Sequence, residues 1–121
     1  MKKFEVTVTS IGEMAQGLLS QNLMVLFAKG HMVMELEDLS VVHDGGELHE
    51  DIKAGDKLHI DNQTYTITAV GDRVNDNLRK LGHTCIKFDG KSTPEMPGDI
   101  HIKSTELPKI NLGQTITIES Q

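Results

Sequence analysis

Six histidines, His31, His43, His49, His59, His83 and His101, are the side chains of this 121-residue sequence best suited to chemistry. An imidazole with its ordinary pKa near 6.5 is largely neutral at pH 7, so one ring nitrogen keeps a lone pair for attack or for a metal. Local sequence sorts the six. His59 and His101 fall in the polar register of alternating runs, which predicts solvent-facing strand positions. His31 follows Gly30 in an expected turn, and His83 follows an expected helix, where core, surface and site all remain open. His43 ends the apolar run Leu39-Ser40-Val41-Val42 and precedes Asp44-Gly45-Gly46-Glu47-Leu48. A strand there delivers the imidazole to a rim, while Gly45 and Gly46 remove bulk and leave backbone N–H groups for an anion. Asp44 or Glu47 could hold the proton of the second ring nitrogen, although both carboxylates repel a phosphoryl group. On these residues alone, an ordinary strand-end histidine in a glycine turn is the favoured reading, because a lone histidine near two glycines is a weak signal.

Other constellations are weaker. His43, Glu47 and His49 could ligate a metal, but their spacing matches neither H-E-x-x-H nor a Cys/His zinc pattern. The sequence holds no P-loop, no G-x-G-x-x-G after a strand and no G-x-S-x-G elbow. Cys85, between Thr84 and Ile86, reads as a buried inert thiol. Met32 and Met34 could mark an adaptable partner surface, though core filling is the commoner use of methionine. The acidic cluster Glu35 to Asp38 reads as a solvated loop.

The elements that must position these groups are mostly strands. Phe4, Val6 and Val8 alternate with Glu5, Thr7 and Thr9; Leu58 and Ile60, then Tyr65, Ile67 and Ala69, repeat the period of two. Ile86 and Phe88, Ile100 and Ile102, and Ile116 and Ile118 continue it. Turn residues separate the runs at Gly55-Asp56, Asp61-Asn62, Gly71-Asp72, Asp89-Gly90, Pro97-Gly98 and Leu112-Gly113. Val74, Leu78 and Leu81 break the pattern at helical spacing, with Asp72 as a candidate N-cap and Gly82 just past the end. Ile11 to Gln21 is ambiguous: Met14, Leu18 and Leu19 fit a helix, but Gly17 interrupts them. The expected fold is all-β and mainly antiparallel, a small barrel or sandwich forming one domain over residues 1–121, with one short helix near 73–81. Ile52 to Asp61 echoes Ile110 to Glu119, an Ile, a Gly and an alternating strand. A common turn-into-strand solution accounts for that more simply than a duplicated half-barrel.

Composition bounds the function. Eighteen acidic against twelve basic residues give a net charge of −6, which argues against a nucleic-acid partner. Hydrophobic residues make up 37% and aromatics 3%, with no Trp, so Val, Ile, Leu and Met must build the core. A single cysteine suits a reducing compartment. No stretch approaches the roughly 18 apolar residues of a membrane span, and Met1 to Glu5 turns polar without a secretory core. A cytoplasmic protein without membrane insertion is expected.

The segment Val41 to Leu48 resembles the active-site segment of the glucitol/sorbitol-specific IIA component of the bacterial sugar phosphotransferase system. Thr68 to Gly71, Asn77 to His83, Phe88 to Gly90 and Pro97-Gly98 extend the resemblance in order and spacing, from near Phe4 to the C-terminus. The resemblance implies a phosphocarrier with no cofactor and no metal. His43 would accept a phosphoryl group from the phosphohistidine of HPr and pass it to a cysteine of the cognate IIB domain of the membrane permease. His83, Gly45, Gly46 and Glu47 become candidate supporting residues. Some relatives carry a second histidine where this chain has Gly45, so an assisting role for a second histidine loses its position here. Two partners docking over His43 in turn would need open, flat surroundings. The alternative is a small β-barrel that binds a metal or polar ligand through His43, Glu47, His49 or His83.

Overall fold

The computed structural model describes residues 1–30, 34–104 and 106–121. Eight strands form a closed barrel: β1 (Lys2–Ile11), β2 (Leu23–Ala28), β3 (Ser40–His43), β4 (Lys57–Ile60), β5 (Gln63–Val70), β6 (Thr84–Lys87), β7 (Asp99–Lys103) and β8 (Thr115–Glu119). Around the barrel the order is β1-β3-β2-β6-β7-β5-β4-β8. β2 with β3 and β6 with β7 run parallel, and the other neighbours are antiparallel. Closure leaves no sheet edge, and the alternating apolar residues fill the interior: Phe4, Val6, Val8, Leu58, Ile60, Ile67, Ile102 and Ile116 are all buried.

Among the described residues three short helices accompany the barrel rather than one. α1 (Ala15–Leu19) lies within the stretch of mixed signals and buries Ala15 and Leu19. Gly17 is tolerated because a side chain there would point into open space. α2 (Met34–Glu37) replaces the loop expected over the acidic cluster, with none of its residues buried and Met34 exposed. α3 (Val74–Leu81) starts from Arg73, not Asp72, with no side-chain cap. Gly82 ends it in the left-handed conformation, φ 62°. His31 and Met32 lie outside the described residues.

His101 overturns its expected position. It occupies the outward register of β7 yet is fully buried, because the loop after β6 folds across it. Its Nδ1–H donates to Asp89 Oδ1 at 2.8 Å, and Nε2 accepts the Glu95 backbone N–H at 3.0 Å. That loop is pinned from outside by Glu95, which pairs with Lys87 at 2.6 Å and Lys91 at 2.7 Å. The two lysines hold the Glu95 carboxyl down at about 2. Period two reports the direction of a side chain, not what a distant loop lays over it. His59 is part-exposed, as its polar register suggests, and bridges Thr64 and Glu119.

The echo between Ile52–Asp61 and Ile110–Glu119 extends to the whole barrel. β1 meets β3 as Val8↔His43 and Ser10↔Val42, with a shift of register between them. β5 meets β7 as Ile67↔Ile102 and Ala69↔His101, with a shift at the same place. The turns agree in detail: Gly12 N–H donates to Ser40 O and Met14 N–H to Asp38 O, while Gly71 N–H donates to Asp99 O and Arg73 N–H to Pro97 O. Lys53 N–H donates to the Asp56 side chain, and Asn111 N–H to that of Gln114. The halves β1–β4 and β5–β8 therefore share an approximate two-fold repeat of strand order and turn contacts, with α2 an addition in the first, which is more than a common turn-into-strand solution accounts for. Matching backbone contacts recur in the two halves at positions whose residue types mostly differ.

Candidate active site

β3 carries His43 to one end of the barrel and stops there. The next turn, with Gly45 at φ 87°, leads the chain away from the strand, a conformation glycine adopts without steric cost. His43 is held on both sides, opposite Val8 of β1 and beside Ala28 of β2, and its carbonyl accepts the Lys29 N–H at 2.8 Å. The imidazole meets the Phe4 ring edge-on, centroids 5.9 Å apart. It is completely buried, unlike the open rim that two docking partners would call for.

Both ring nitrogens have partners. Nε2 lies 2.7 Å from the carbonyl oxygen of Gly82, and Nδ1 lies 3.1 Å from the Gly45 amide nitrogen. A carbonyl only accepts and an amide N–H only donates, so these partners assign the proton to Nε2 and the lone pair to Nδ1. Burial lowers the His43 pKa below its ordinary value, while the Gly82 carbonyl and the Asp44 charge act the other way. The ring is thus a neutral base with one committed tautomer.

In the sequence Gly82 reads only as a helix terminus, and here it orients the imidazole. A Cβ on it would sit 2.5 Å from Ala28 Cβ and 2.8 Å from His43 Cε1, so any side chain would push the ring away. Its one other signal is its position directly before His83 in a segment of the resemblance. The other candidates divide. Gly45 and Gly46 are exposed, and Gly46 lies so close to the Glu5 carbonyl that a Cβ would come within 2.6 Å of it. Asp44 does not hold the ring proton; its carboxylate accepts the Thr7 N–H at 3.0 Å. Glu47 turns to solvent, 3.9 Å from His49 Nδ1, and makes no hydrogen bond to His43. His83 stacks on Phe27 at 4.5 Å and donates Nδ1–H to the Leu26 carbonyl at 3.0 Å. Among the described residues no three His, Cys, Asp or Glu side chains are placed to hold a metal ion, so the metal-ligand set drawn from His43, Glu47, His49 and His83 is not assembled.

The second half of the barrel gives an internal comparison. Ile102 occupies the place of His43, opposite Ile67 as His43 is opposite Val8, and Asn22, at φ 66°, takes the place of Gly82. Packing at this corner is satisfied by an isoleucine. A buried imidazole costs desolvation that the isoleucine does not, and His43 offsets it with a hydrogen bond at each ring nitrogen.

Residues 3–117 match the family model described as PTS system glucitol/sorbitol-specific IIA component. The chain belongs to this family. Relatives named PTS system glucitol/sorbitol-specific EIIA component occur in Shigella flexneri and Escherichia coli (strain K12). Each is 33% identical over 117 residues, covering 97% of this chain and 94% of the relative. A crystal structure of a PTS system IIA component from Enterococcus faecalis V583 superposes with a TM-score of 0.77 at 28% identity, over 93% of this chain and 96% of that one. As a glucitol/sorbitol-type IIA component, the protein is a part of a phosphotransferase system. Among the described residues no helix is long and apolar enough to cross a membrane.

Proposed function

We propose that residues 1–121 act as one cytoplasmic IIA domain, in which His43 takes a phosphoryl group from phospho-HPr and hands it to the cysteine of a glucitol/sorbitol-type IIB domain. The observation that carries this reading is the state of His43: neutral, in one tautomer, with its single lone pair beneath a glycine turn. Transfer between a nitrogen and a sulfur nucleophile needs in-line approach and donors for the equatorial oxygens more than it needs an acid–base array. The donor is already activated, so neither a nucleotide pocket nor a metal is required of this chain. The Gly45 backbone N–H, 3.1 Å from Nδ1, is the donor within reach.

Intact mass spectrometry after incubation with Enzyme I, HPr and phosphoenolpyruvate, at neutral to mildly alkaline pH, tests the assignment. One acid-labile phosphoryl group is expected on the wild type and none on His43→Gln. Full phosphorylation of His43→Gln would remove His43 from the mechanism.

A further inference from the structure

The two faces of the buried imidazole are not equally able to open, and that asymmetry selects a nitrogen. On the Nε2 side the ring abuts the end of α3. Gly82 carries the accepting carbonyl, and its own N–H is tied to Leu78 O at 3.0 Å. Ala28 closes in on Gly82 so tightly that not even a Cβ fits. Phosphorus at Nε2 would displace the helix terminus and leave the Gly82 carbonyl without its donor.

The Nδ1 side is covered by a turn instead. Residues 44–49 have no regular structure, and the two neighbours of Gly45 lie close against β1 where Gly45 itself does not. Asp44 is pinned to β1 twice, by its N–H to Thr7 O and by its carboxylate to Thr7 N–H, both at 3.0 Å. Gly46 lies on the backbone of Glu5. Between these two fixed points, Gly45 has open space around its Cβ position, and its N–H is tied to His43 Nδ1 alone.

Resting on the reading of His43 as phosphoacceptor, we propose that Nδ1 is the nitrogen that is phosphorylated and that the Gly45 turn is the gate over it. In the closed state the Gly45 N–H occupies the line along which phosphorus must approach. Outward movement of Gly45, hinged at Asp44 and Gly46, frees the lone pair. The Nδ1 pair then forms the new N–P bond as the donor's P–N bond breaks, and the pair of that broken bond returns to the donor's ring nitrogen. No proton moves: Nε2–H stays on the Gly82 carbonyl, which stabilises the positive charge the ring gains. The displaced Gly45 N–H is then placed to donate to a phosphoryl oxygen. In the onward step the N–P pair returns to Nδ1 as the acceptor thiolate takes the phosphorus.

The test is NMR of the full chain labelled with nitrogen-15, before and after phosphorylation by Enzyme I, HPr and phosphoenolpyruvate. A one-bond nitrogen–phosphorus coupling at Nδ1 of His43 is expected, with Nε2 still protonated. The coupling across the hydrogen bond from the Gly45 amide to Nδ1 should disappear as the Gly45 resonance shifts. Phosphorus on Nε2 of His43, with the Gly45 coupling retained, would overturn this inference and leave the carrier function standing. No phosphorus on His43, with HPr charged, would overturn both.

Discussion

His43 Nε2 and the Gly82 carbonyl oxygen lie 2.7 Å apart although 39 residues separate them in sequence. The contact joins the end of β3 to the end of α3, so a helix terminus sets the tautomer and direction of the imidazole. Gly82→Ala tests this. Two costs follow, a left-handed alanine of about 1–2 kcal/mol and a Cβ driven against the ring. Gly113→Ala is the control, because Gly113 shares the positive φ, 81°, but has nothing near its Cβ position. Both variants should lose stability in urea titrations. Only Gly82→Ala should lose phosphorylation rate, by on the order of 100-fold for a ring displaced by an ångström.

Burial also makes the site sensitive to acid. The folded pKa of His43 lies below the ordinary 6.5, so between those values the unfolded chain binds a proton that the folded chain does not. The stability contribution is complete above 6.5 and is lost as pH falls from 6.5 toward the lowered folded value. Urea titrations across that window should therefore show the wild type losing stability faster, as pH falls, than His43→Gln. Parallel curves for the two proteins would contradict the assignment of a neutral buried ring.

The barrel is legible in the sequence because period two survives in the residues that fill it: Phe4, Val6, Leu58, Ile67 and Ile116 are buried as their registers predict. His43 stands out as a candidate through its apolar run and its glycines. Its orientation does not, because the Gly82 carbonyl is a backbone atom with no signature in residue type. The burial of His101 escapes its register for a related reason, since the cover on its outer face comes from the loop after β6. The duplication shows only as a short echo, because backbone hydrogen bonds can repeat while side chains diverge.

His101 should matter to the fold and not to phosphorylation. In His101→Leu the Glu95 N–H loses its acceptor and Asp89 loses one of two donors, keeping the Lys91 N–H at 3.2 Å. A loss of about 1 kcal/mol is expected, the usual net worth of hydrogen bonds removed at a part-buried site. Hydrogen exchange at the Glu95 amide should accelerate well beyond the change at strands β1 and β3. Phosphorylation of His43 should keep its rate per folded molecule.

The two halves predict matched costs at matched glycines. Gly12 and Gly71 each donate to a carbonyl at the start of the strand two further along the chain, Ser40 and Asp99 respectively. Each also lies against backbone, Asp38 in one half and Pro97 in the other, with no room for a Cβ. Backbone cannot swing aside as a flexible side chain can, so Gly12→Ala and Gly71→Ala should each cost about 3 kcal/mol, the upper end for overpacking. Chemical denaturation of the two variants checks this. Similar losses at both positions are what the two-fold relation requires, whereas a neutral substitution at either would show that the two turns carry different loads.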